Sequence, residues 1–118
     1  MTTLASARTS LAATLDAALT TYPVLAYEPG PGQLAKPVYV TVNPAGLSST
    51  EYLLAVRCYS DTSQTKLDTA LERLEGMVQA VEDALPSSVP QGTWQLEWSE
   101  LHNAYIATLV AEYPRDDF

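Results

Sequence analysis

Residues Thr50 to Ser60 read TEYLLAVRCYS. At period two, one face carries Tyr52, Leu54, Val56 and Cys58, and the other carries Leu53, Ala55, Arg57 and Tyr59. A half-buried strand alternates apolar and polar side chains. This segment is apolar on both faces apart from Arg57, so it avoids water on each side. Any fold for the chain has to supply a cover for both.

The flanking segments supply helices and further strands. From Thr3 to Thr20, Leu4, Ala7, Leu11, Leu15, Ala18 and Leu19 recur at helical spacing with no Pro or Gly between them. This predicts an amphipathic helix about 27 Å long at ~1.5 Å per residue. Thr2 or Thr3 can cap its start, and Pro23 follows its end. Val24 to Tyr27 reads as a short strand, and EPGPGQLAKP, Glu28 to Pro37, as a loop. Val38 to Val42 resumes β character, and Asn43-Pro44-Ala45-Gly46 reads as a turn into the central strand. Asp61 to Gln64 marks a second helix start. Its body places Leu67, Leu71, Leu74, Val78, Val81 and Leu85 in one stripe, with Pro86 at the end. TWQLEWS then alternates, with Trp94, Leu96 and Trp98 expected inward and Gln95 and Glu97 outward. Glu100 to Asn103 is a turn, and Ala104 to Tyr113 a last strand, again apolar on both faces.

Strands joined by short turns give a mostly antiparallel sheet. The fold class expected is α+β, a single domain over residues 1–118. Two amphipathic helices pack on one face of the sheet, in the order helix, strands, helix, strands. The strand residues expected to meet the helices include Val40, Val42, Leu54, Val56, Cys58, Trp94, Leu96 and Trp98. The opposite face is expected to carry Leu53, Ala55 and Tyr59 with Tyr105, Leu109 and Tyr113. No helix remains to cover it, which points to another subunit.

Composition excludes several functions. Fourteen acids against six Lys and Arg give a formal net charge of -8. Gripping a DNA backbone takes clustered cations, whereas Arg8, Lys36, Arg57, Lys66, Arg73 and Arg115 are scattered singly. An acidic surface suits solubility, or letting DNA pass without sticking. No apolar run approaches the ~20 residues of a membrane span, and the first residues do not read as a secretion signal. The single cysteine, Cys58, has no disulfide partner in the chain, as in a reducing cytosol.

Catalytic chemistry finds little to work with. His102 is the only histidine and falls in a turn beside Glu100. Cys58 has no CxxC neighbour and reads as a small buried hydrophobe. No cysteine–histidine metal spacing occurs, and EPGPG lacks the glycine spacing that cradles phosphate. Neither catalysis nor a cofactor or metal is expected.

An Ala/Leu-rich first helix, a short strand, a Pro/Gly loop and the passage YLLAVRCYSDTSQTKLDTALERL lead to a final hairpin ending in YIATLVAEY. Over most of its length this resembles the tail terminator, or tail completion, proteins of long-tailed bacteriophages, above all those of actinobacterial phages. The resemblance rests on element order, length and the passage from Tyr52 to Leu74. It implies a structural virion protein that forms a homohexameric ring on the tail tube, ends its elongation and joins tail to neck. Its partners would be further copies of itself, the major tail tube protein and a neck or head-completion protein. Genome DNA would pass through the lumen without specific binding, and no membrane is involved. The location implied is the tail–neck junction of the virion, with the host cytoplasm during assembly. The subunit interface is expected at Leu53, Arg57, Tyr59, Tyr105 and Leu109. Contact with the tube or neck is expected at Glu28, Gly30, Gly32 and Lys36 and in the tail at Arg115 and Phe118. Two other readings stand beside it: another neck-level ring or tube protein, and a small α/β dimer that holds a small molecule between subunits.

Overall fold

Thr3 starts the first helix by satisfying two backbone groups that would otherwise lack partners. Its Oγ1 accepts from the Ser6 N–H at 3.1 Å, and the Ser6 Oγ accepts from the Thr3 N–H at 2.8 Å, a reciprocal capping box. Helix α1 then runs Leu4–Ala18 and buries Ala7, Leu11 and Leu15, the three residues spaced four apart. The Leu19 N–H closes it on the Leu15 carbonyl at 2.7 Å. The structure, a computed structural model, describes residues 3–25, 38–62, 67–85, 93–100 and 103–114. The expected Glu28–Pro37 loop and the start of the second helix at 63–66 lie outside them.

Five strands form one sheet. They are β1 (Val24–Leu25), β2 (Val38–Leu47), β3 (Glu51–Asp61), β4 (Gln95–Ser99) and β5 (Ala104–Pro114), with helix α2 (Leu67–Ala84) between β3 and β4. The sheet order is β1-β2-β3-β5-β4; β1 runs parallel to β2 and every other pair is antiparallel. The chain is therefore α+β, in the order helix, strands, helix, strands. β3 is the central strand, paired along its length by β2 and β5, with Val56 between Val42 and Leu109. This position accounts for its double apolar face.

Both helices lie on one side. Ala7, Leu11 and Leu15 of α1 and Leu74, Met77 and Val81 of α2 pack on Val40, Val42, Leu54, Val56, Cys58 and Ala107. Each fully buried Leu, Val or Met of this kind is worth about 1.5–3 kcal/mol relative to exposure. Ser60, fully buried, ties β3 to α2 through its Oγ, which donates to the Ala70 carbonyl at 2.7 Å.

Three expectations are corrected. Asn43 to Gly46 is not a turn: β2 continues to Leu47, with a register shift between Pro44 and Gly46. A bulge accommodates a proline, which has no N–H for the ladder. The chain reverses instead at Ser48, whose Oγ accepts from the N–H of Glu51 at 2.9 Å and of Thr50 at 3.3 Å. On α2, Leu74 and Val81 of the expected stripe are buried, but together with Ala70 and Met77 from outside it; Leu71, Val78 and Leu85 are half-buried and Leu67 is 50% exposed. Leu96 and Trp98 point to the helix side but are 59% and 44% exposed. Strands sit ~4.8 Å apart and a helix with its side chains is ~10–12 Å across. A helix seated over β3 and β5 leaves the edge strand β4 roughly 7 Å from its axis, beyond its reach.

Candidate assembly surface

The face of the sheet away from the helices is built from the odd residues of β3, the odd residues of β2 up to its bulge and the even residues of β5. Its two ends differ. At one end Tyr39 and Tyr59 stack at 4.4 Å between ring centroids, 15° from parallel, and form a second buried cluster with Ile106. Half-buried Leu25 packs against this cluster. Across the middle runs a polar row, Thr41, Arg57 and Thr108, paired strand to strand. Thr41 is fully buried, and its Oγ1 accepts from Asn43 Nδ2 at 3.0 Å. At the other end Leu53 is half-buried and Val110 exposed, beside Glu112.

This geometry corrects the expected interface residues. Tyr59 is fully buried within the chain and offers no surface to a partner. Tyr105 and Leu109 pair with Ser60 and Val56, so they stand on the helix side and not with Leu53 and Tyr59. Leu109 is fully buried there, and Tyr105 meets Trp98 edge to face at 5.0 Å. Arg57 is half-buried and already engaged within the chain. Of the five residues, Leu53 alone keeps both its expected face and a share of exposure without such ties. Glu28, Gly30, Gly32, Lys36, Arg115 and Phe118 lie outside the described residues.

An open apolar surface lies on the helix side, where sequence reasoning expected core. Between α2 and the β4 edge runs a groove of about 490 Å³, lined among others by Leu71, Val78, Leu96 and Ala107, with Glu75 and Glu82 at its α2 rim. It continues toward Thr62 as a second hollow of about 400 Å³ between Leu67, Trp98 and Tyr105. The apolar arc of α2 is wider than its seat on the sheet: Leu67 and Leu71 are spare and line the hollows beside β4. The signal was present in the sequence as a count. Five strand segments are too wide for two helices, so one edge has to stay bare.

Among the described residues no three His, Cys, Asp or Glu side chains gather as a metal site. Burial pushes the Cys58 thiol up to about 12, so at neutral pH it is held in the protonated form. Glu51 and Glu112 approach each other at the Leu53 end of the far face. Desolvation first, then the Glu112 charge and a hydrogen bond to it, raise the Glu51 carboxyl above its ordinary value. Among the described residues no helix is long and apolar enough to cross a membrane. No protein-family model matches the chain, and no curated protein matches it.

Proposed function

We propose that the chain is a structural virion protein that closes into a ring on the tail tube of a long-tailed bacteriophage, stops tube growth and links tail to neck. The observation that carries this reading is the bare helix-side edge of the sheet, where Leu67, Leu96 and Trp98 stand 44–59% exposed beside one another. Large exposed apolar patches on small proteins mark interaction surfaces. The element order and the Tyr52 to Leu74 passage supply the phage resemblance, and the net charge of -8 suits a lumen that DNA must traverse. The ring subunits, the tube protein and a neck protein are the partners in this reading, and the location is the tail–neck junction.

Electron microscopy of the purified protein and of tails carrying it tests the proposal. The expected result is a six-fold ring at the head-proximal end of the tube, and tubes of uncontrolled length when the gene is removed. Tails of normal length without the protein would sink it.

A further inference from the structure

We draw no further inference here: the strongest candidate, the apolar groove between α2 and the β4 edge lined by Leu71, Val78 and Leu96, carries none because nothing in the structure shows what covers it.

Discussion

Cys58 shows how one position can settle a chemical question. It stands mid-strand on β3, between Val40 and Ala107, under both helices. A thiolate there would be an unsolvated charge, so the proton is held and the thiol is pushed up to about 12. In the unfolded chain the same thiol ionises near its ordinary value of about 8.5. Between those two values the folded state binds more protons than the unfolded state, so stability contributed by this residue falls as pH rises. Below about pH 8 it contributes no pH dependence. Two measurements follow. A disulfide reagent at pH 8 should leave the native protein unmodified and react at once in denaturant. The loss of melting temperature between pH 8 and 10 should be smaller in Cys58→Ala than in wild type. Rapid labelling of the native protein would show that β3 is not held under the helices as described. Asn103 is a second informative position. Its φ of 53° lies in the left-handed region that asparagine tolerates better than branched residues. Its carbonyl also accepts from the Thr62 N–H and Oγ1, both at 3.0 Å, tying the β4–β5 turn to the end of β3.

At the scale of elements, a glycine of α2 faces the segment between α1 and β1. A Cβ at Gly76 of α2 would stand 3.0 Å from the Tyr22 hydroxyl, at the end of a half-buried side chain that packs on the main core. Alanine is favoured over glycine in a helix interior by about 1 kcal/mol, and a ring tip yields a few tenths of an ångström more readily than backbone does. Gly76→Ala should therefore raise stability by less than about 1 kcal/mol, read by urea denaturation. A loss of stability would mean that Tyr22 is clamped between α1 and α2. The same elements show what the sequence discloses and what it withholds. Helix α1 was legible because its capping residue and its Ala7, Leu11, Leu15 spacing agree, and the element order and mostly antiparallel sheet of the α+β fold followed from the strand segments and the short turns between them. The facing of β5 was not legible. Tyr105 and Leu109 alternate with Ile106 and Val110, so both phases of the strand are apolar and only pairing with β3 fixes which looks at the helices. The seat of α2 was hidden for a related reason. Ala70 and Met77 extend the leucine stripe on one side, and the buried set lies roughly 50° around the axis from the stripe centre at ~3.6 residues per turn. Pro44 read as a turn because a bulge that tolerates proline leaves no mark in a single sequence.

At the scale of the whole molecule, the balance between apolar contact and charge decides how copies meet. A ring of six subunits at -8 each would gather 6 × -8 = -48 formal charges. Asp68, Glu72, Glu75 and Asp83 of α2 are exposed, and Glu75 stands at the rim of the groove. In the proposed ring, subunits would repel at long range and adhere only where Leu96, Trp98 and their neighbours come into contact. Salt shortens that repulsion, from a Debye length of about 30 Å at 0.01 M to about 3 Å at 1 M, and leaves the apolar contact in place. Sulfate should go further, since it strengthens apolar burial. Self-association measured by sedimentation should rise from low to high sodium chloride and rise again in sodium sulfate. A DNA clamp behaves in the opposite way, because its contacts release counterions and weaken with salt. The same repulsion should keep binding of duplex DNA negligible in a low-salt anisotropy titration, and more so for the assembled protein than for the monomer. The two readings thus have opposite salt signs in one buffer series. Assembly that dissolves as salt rises would place ion pairs at the subunit boundary instead of the apolar edge. Micromolar DNA binding lost on adding salt would mark a surface that holds the genome and does not let it pass.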